Sequence, residues 1–335
     1  MILTETWNTA LISPDRELTK RDCVYASELG QPMVDRWLRM NAVPYTNPPN
    51  ERSKRKFFSG DVWEWLVWTV FNLSGIVKSR QDVVEVTDGA LKVRGKLDFL
   101  IGGTPNRAAA LTYLNTIPYP ASMRDFFERV ILQLSETPIE DCICEAKSLS
   151  SFAFERVLEK GAYDNHCLQL YHYSLGMGLP GVLSYVCRDD ARLKEFTIDI
   201  EDAGLKLDYY GDLERLAGFL NRNEQPPNEP LITFDGKFSK NLRVEYSAYL
   251  THVYGFKEPE DYRLAVDGKV QRWNRVLNRL KLIQDGTRLK PTKKEPDGKL
   301  MELTANNQAA LTEMRLEGWT PEQLITDFKT EEENE

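Results

Sequence analysis

No stretch of 18 apolar residues occurs in this chain, so no transmembrane helix is expected. Its opening, MILTETWNTALISPDRELTK, has neither the basic start nor the apolar centre of a secretory signal. These two absences predict a cytoplasmic protein. Cysteine is scarce. The five residues Cys23, Cys142, Cys144, Cys167 and Cys187 are odd in number and scattered, which argues against a disulfide framework. No Gly-x-x-x-x-Gly-Lys-Ser/Thr motif is present, which excludes a built-in phosphate-loop motor. Positive charge is also short: the net charge of −8 means that any contact with a polyanion must come from local basic clusters.

What is there begins with charged residues on β-type segments. Leu91–Leu97 alternates strictly, with Leu91, Val93, Gly95 and Leu97 on one face and Lys92, Arg94 and Lys96 on the other. Asp98 continues the polar face just where the pattern becomes fully apolar at Phe99, Leu100 and Ile101. Further on, Glu145 and Lys147 close the apolar run of Cys142, Ile143 and Cys144. Two residues apart on a strand, they share a face about 7 Å along its length. Glu-x-Lys alone suits a solvated edge strand better than a site. A charged pair at the mouth of a buried strand is costly unless paired or metal-bound. Two carboxylates and a lysine on neighbouring strands can hold Mg²⁺ and a water beside a phosphate.

Two helices flank these strands. FFSGDVWEWLVWTVFNLSG reads as a helix capped by Ser59, with Asp61 in its first turn. Glu64 lies within its apolar surface, either as a ligand, or held by a buried base, or on a narrow exposed stripe with Asp61. AYDNHCLQLYHYSLGM reads as a second helix on which Gln169 and Tyr173, four apart, share a face.

This order resembles the PD-(D/E)XK nuclease superfamily: a helix with Glu64, a strand with Gly95-x-x-Asp98, a strand with Glu145-x-Lys147, and a helix with Gln169-x-x-x-Tyr173. Gln-x-x-x-Tyr after Glu-x-Lys makes it similar to the RecB-like exonuclease branch, which includes phage recombination exonucleases and a CRISPR-associated iron–sulphur nuclease. The resemblance spans residues 57–200. It implies a restriction-endonuclease-like α/β (α+β) fold, a mixed central sheet flanked by helices with helical N- and C-terminal additions. It also implies a DNA exonuclease of recombination, repair or phage DNA processing in a bacterial or phage-infected cell, dependent on Mg²⁺ or Mn²⁺. Asp98 and Glu145 would bind the metal, with Glu64 taking a second ion or its water shell. Lys147 would act on the water and the transition state, and Gln169 and Tyr173 would position the site or the DNA backbone. The iron–sulphur relatives use one cysteine before the core and three closely spaced ones after it. Cys23 could be the first, but no cysteine follows Cys187, so no cluster is expected. Two features depart from the family. The Asp98–Glu145 interval is long, with helical pieces at Ala108–Thr116 and Met123–Leu134, and none of His166, His172 and His252 lies beside Glu64.

DNA is the expected partner, single- or double-stranded, with a recombination or replication protein as a possible second one and no membrane. Arg52, Lys54, Arg55 and Lys56 form one basic cluster. Arg272, Arg275 and Arg279 form another, beside an apolar face of Trp273, Val276, Leu277 and Leu280 and followed by Arg288, Lys290, Lys293 and Lys294. The alternative for the three arginines is a solvated face pairing with Glu258, Glu260 or Asp267. The chain divides into a helical region at 1–56, a nuclease core at 57–225, a helical basic region at 226–300, and a helical tail at 301–335 ending in acidic, disorder-prone TEEENE. Rival readings are a non-catalytic nucleic-acid-binding or assembly subunit with a nuclease-like fold, and an RNA-directed nuclease.

Overall fold

A computed structural model describes residues 10, 18–87, 89–287 and 301–328. The chain forms two compact units, one of residues 1–44 and 48–227, the other of residues 45–47 and 228–335.

The first unit is mixed α/β. Its main sheet has the order β2 (Val77–Arg80), β5 (Phe99–Gly103), β6 (Ile139–Leu149), β7 (Gly181–Cys187), β8 (Leu193–Ile198). Only β6 and β7 run parallel; the other neighbours are antiparallel. A smaller sheet has β4 (Lys92–Lys96) between β1 (Cys23–Tyr25) and β3 (Val83–Val86). Period-2 alternation on β6 divides two cores. Cys142 and Cys144 face Val67, Phe99 and Val186 under the helix α2 (Glu51–Leu73). Ile143 faces Leu170, Tyr171, Leu183 and Tyr185, beneath the helix α6 (Asp164–Met177). The central sheet is thus covered by a helix on each face.

Three expectations change. Ser59 does not start α2: the helix begins eight residues earlier, capped by Asn50, whose side chain accepts from the Ser53 amide at 3.0 Å. Arg52–Lys56 are therefore helical, and within residues 18–56 the strand β1 pairs with β4 while α2 runs on past position 56. Asp98 is not on the solvated face of its strand. The chain leaves the small sheet after Lys96 and enters the main sheet at Phe99, and this crossing buries both Leu97 and Asp98. Glu145 lies well inside β6, an 11-residue strand, rather than at its mouth.

The two helical pieces expected between Asp98 and Glu145 are α3 (Arg107–Leu114) and α4 (Ala121–Gln133). They join two strands that pair directly, and Ala110, Leu114, Phe127 and Ile131 pack with Leu73 of α2. The long interval is a helical excursion from a β-hairpin, and the pairing of Asp98's strand with Glu145's is preserved.

In the second unit, α10 (Pro259–Gln284) buries Trp273, Val276 and Leu277 against α11 (Ala305–Leu316), α12 (Pro321–Asp327) and the hairpin of β9 (Ile232–Phe234) and β10 (Phe238–Lys240). The basic helix and the tail thus share one core. Arg288, Lys290, Lys293, Lys294 and the acidic end lie outside the described residues. Among the described residues, no helix is long and apolar enough to cross a membrane.

Candidate active site

Phe99 pairs with Cys144 in the sheet, so Asp98, one residue earlier, stands beside Glu145. Asp98 Oδ2 accepts the Ala146 amide at 2.9 Å. Glu145 is 1% exposed. Its Oε1 takes two donors, Lys147 Nζ at 2.6 Å and Gln169 Nε2 at 2.7 Å, while its Oε2 is buried with no hydrogen-bond partner among the described residues. Gln169 Nε2 also lies 3.3 Å from Tyr173 Oη, one turn along α6. Tyr173 in turn rests on Gly95, where a Cβ would fall 2.7 Å from the ring and 2.6 Å from Ala26 Cβ. Only glycine lets the tyrosine lie this close to β4.

The electrostatics follow from crowding two carboxylates in a dry place. Burial, then the charge of Glu145, raises the Asp98 pKa well above the ordinary carboxylate range, against the pull of Lys147 and the Ala146 amide. Burial alone would lower Lys147, but the charges of Glu145 and Asp98 outweigh it and raise its pKa, so it stays an ammonium. Burial, then the Glu145 charge, pushes the Tyr173 hydroxyl up, so it remains a phenol.

Asp98, Glu145, Lys147, Gln169 and Tyr173 therefore meet. Glu64 is turned elsewhere: its Oε1 accepts from Arg80 Nη2 at 3.0 Å and Gln81 Nε2 at 3.4 Å. Arg80 is itself stacked over Trp68 and Phe99. Glu64 thus has a base partner and acts on Asp98 only through its charge. Among the described residues, no three His, Cys, Asp or Glu side chains converge as a metal-binding group. The oxygen donors on hand are two carboxylates and the strand's carbonyls, with one carboxylate oxygen unsatisfied. That set suits Mg²⁺, which is commonly held by one or two carboxylates and keeps several waters.

Two neighbours of the site lie outside the sequence motifs. Tyr185 is the β7 partner of Lys147 in register. Its hydroxyl accepts from the Tyr163 amide at 3.1 Å and lies 2.9 Å from His166 Nδ1. Burial, then the Lys147 charge, lowers the His166 pKa to about 3. The available signal was spacing, since His166 precedes Gln169 by one helical turn.

The arginines of α10 are engaged within their own unit. Arg272 pairs with Glu313 at 2.7 Å, and the same carboxylate accepts from Trp273 Nε1 at 3.0 Å. Arg279 donates to the Glu302 carbonyl at 2.8 Å, and Arg275 to that of Gln271 at 3.2 Å. The main acidic partner is Glu313, not Glu258, Glu260 or Asp267. In the other cluster, Arg52 and Lys56 are exposed, and Arg55 pairs with Glu51 at 3.5 Å. The cysteines serve the core: Cys142, Cys144 and Cys187 are buried, burial raises the thiol pKa of Cys23, Cys142 and Cys144, and that of Cys167 reaches about 11.

No family model matches the chain, and no curated protein sequence matches it. Among solved structures it is similar to SSO0001, at 16% identity and a TM-score of 0.40, over 76% of this chain and 96% of that one. It is also similar to an alkaline exonuclease (LHK-Exo) from Laribacter hongkongensis, at 12% identity and a TM-score of 0.32, over 65% of this chain and 97% of that one. At these scores neither likeness establishes an activity.

Proposed function

We propose that this chain is a metal-dependent nuclease that hydrolyses DNA phosphodiester bonds, of the RecB-like exonuclease kind. The observation that carries this reading is the asymmetry of the Glu145 carboxylate. Oε1 is saturated by Lys147 and Gln169, and Oε2, buried beside Asp98, has no donor among the described residues. An unsatisfied anionic oxygen in a dry site costs several kcal/mol in isolation unless a proton or cation meets it.

Asp98, Glu145 and the Ala146 carbonyl would hold Mg²⁺ or Mn²⁺. When bound, the ion supplies an acidified water and polarises a phosphate oxygen. Every other part of the chemistry belongs to the chain. Lys147, kept charged and pinned by Glu145, orients the attacking water and stabilises negative charge on the phosphate as it grows. Gln169 fixes the carboxylate rotamer of Glu145, and Tyr173 fixes Gln169. Glu64, held by Arg80, adds negative potential at Asp98.

The test is degradation of linear and covalently closed circular plasmid in parallel, with Mg²⁺ and with EDTA. Loss of the linear form alone, and only with Mg²⁺, is the expected result. Cleavage that persists in EDTA contradicts the reading.

A further inference from the structure

Two histidines on α6 are held alike at one ring nitrogen and differently at the other. His172 is buried, with Nδ1 2.9 Å from Tyr209 Oη and Nε2 3.4 Å from the Val84 carbonyl. A carbonyl only accepts, so the His172 proton sits on Nε2 and the tyrosine hydroxyl donates to Nδ1. His166 repeats the first contact, with Nδ1 2.9 Å from Tyr185 Oη. That hydroxyl already accepts the Tyr163 amide at 3.1 Å, and among the described residues the acceptor within its reach is His166 Nδ1. Burial raises the pKa of Tyr185 and lowers that of His166 to about 3, so the pair is a phenol and a neutral imidazole at neutral pH. The Tyr185 hydroxyl therefore donates to Nδ1, and the ring proton of His166 is on Nε2. Unlike that of His172, this N–H has no partner among the described residues, and it is not closed off from solvent.

The setting of this open donor is specific. His166 precedes Gln169 by three residues on α6, and Lys147 follows Glu145 by two on β6, so each pair shares a face. Gln169 rests on Glu145, while His166, through Tyr185, rests on the strand pair of Lys147 and Tyr185. The Lys147 ammonium acts on the ring through its charge. The Tyr163 ring meets His166 edge-on, with centroids 5.5 Å apart, and carries the Arg156 guanidinium of the helix α5 (Ser151–Lys160) 4.6 Å above it. We propose that His166 is a substrate-positioning residue whose Nε2–H donates to a non-bridging oxygen of the DNA backbone, at the phosphate next to the cleaved one, with Tyr185 fixing the tautomer. The inference rests on the nuclease reading and adds a binding residue to that site. Lys147 attends the cleaved phosphate, and His166 lies one helical turn beyond Gln169, so the link it meets is a neighbouring one. The chemistry selects an anion. A metal ion would need a bare ring nitrogen, and the bare one here is taken by Tyr185. A phosphate oxygen accepts an N–H and gains from the cations beside it.

The test uses the full-length protein and linear DNA carrying one uncharged methylphosphonate link, moved along the strand one position at a time. Single-turnover cleavage with Mg²⁺ is measured for the parent, His166→Leu, His166→Gln and Tyr185→Phe, each checked for folding by circular dichroism. In the parent, modifying the link next to the cleaved one should slow the reaction about 10- to 100-fold, as loss of a hydrogen bond to a charged acceptor does. His166→Leu should lose as much on unmodified DNA and respond to that link by less than about 3-fold, which is the coupling of a direct contact. His166→Gln offers an N–H at similar reach and should restore the sensitivity. Across about pH 6–8 the parent and His166→Leu should run parallel, since a neutral donor does not titrate there. Nitrogen-15 NMR of the metal-free parent should show the ring proton on Nε2, and Tyr185→Phe should lose that preference. Full sensitivity of His166→Leu to the modified link overturns the inference. So does a ring proton on Nδ1, or a limb of the pH profile that disappears with His166. Anisotropy of the same oligonucleotides in EDTA separates the two readings. A parent that cleaves nothing, yet binds with a His166-dependent response to one link, keeps the donor and removes the nuclease reading. A parent that cleaves, beside a His166→Leu variant that cleaves equally well, does the reverse.

Discussion

Glu145 and Gln169 meet at 2.7 Å between β6 and α6, with Gln169 Nε2 donating to Oε1. The same oxygen accepts from Lys147, so strand and helix each supply one donor. The two donors have different duties. Gln169→Ala frees the carboxylate to rotate and should cost roughly 10- to 100-fold in activity or metal affinity, as a lost supporting partner does. Lys147→Ala should lower the single-turnover rate by about 10²-fold or more while shifting the Mg²⁺ midpoint little. Metal titration of single-turnover cleavage separates them. Equal shifts in midpoint would remove the distinction.

Asp98 gives a pH signature. Its pKa is raised in the folded protein, chiefly by burial and then by Glu145. Between the unfolded value, about 4, and the raised folded value, the folded state holds the extra proton. Metal-free stability must therefore fall as pH rises through that window. Asp98→Asn keeps an acceptor for the Ala146 amide but removes the charge. It should melt higher than the parent at neutral pH, by roughly 2–4 °C for each kcal/mol recovered, and lose that advantage below about pH 4. Mg²⁺ should raise the melting temperature of the parent and leave the variant unmoved. Parallel melting curves across pH would exclude a strained carboxylate pair.

Gly95 supports the site from behind. In Gly95→Ala the new methyl meets Ala26 and Tyr173 well inside van der Waals contact. Overpacking of this kind costs about 1–3 kcal/mol. Differential scanning calorimetry should show the loss, and activity at a temperature where the variant is folded should fall as Tyr173 is pushed off Gln169. A variant as stable and active as the parent would mean that the contact is slack.

Much of this site is legible in the chain because two periodicities fix it. Residues two apart on a strand, Glu145 and Lys147, and four apart on a helix, Gln169 and Tyr173, share a face whatever the tertiary context. The burial of Asp98 is not legible, because it follows from the chain passing between two sheets after Lys96. The start of α2 was hidden for a local reason. The Asn50 cap follows two prolines and precedes a basic run, which reads as a surface loop. The partners of Glu64 and Arg272 lie 16 and 41 residues away, and no local pattern announces them.

Those distant partners decide the role of the α10 arginines. Arg272 and Arg279 are occupied by Glu313 and the Glu302 carbonyl. Changing Arg272, Arg275 and Arg279 to Ala should alter the slope of log K against log salt by less than about 1, whereas Arg52→Gln/Lys56→Gln should flatten it by about 2. Binding titrations across salt concentration read both. A flattening of 2–3 in the α10 variant would return the DNA path to that helix.

The most direct test is the single-turnover cleavage rate of Glu145→Gln beside the parent, each with Mg²⁺ and with EDTA, on linear DNA. Glutamine fills the same buried space but cannot offer an anionic Oε2. The account predicts Mg²⁺-dependent cleavage by the parent and a loss of about 10³-fold or more in a variant that remains folded by circular dichroism. Parent-like cleavage by Glu145→Gln would contradict it.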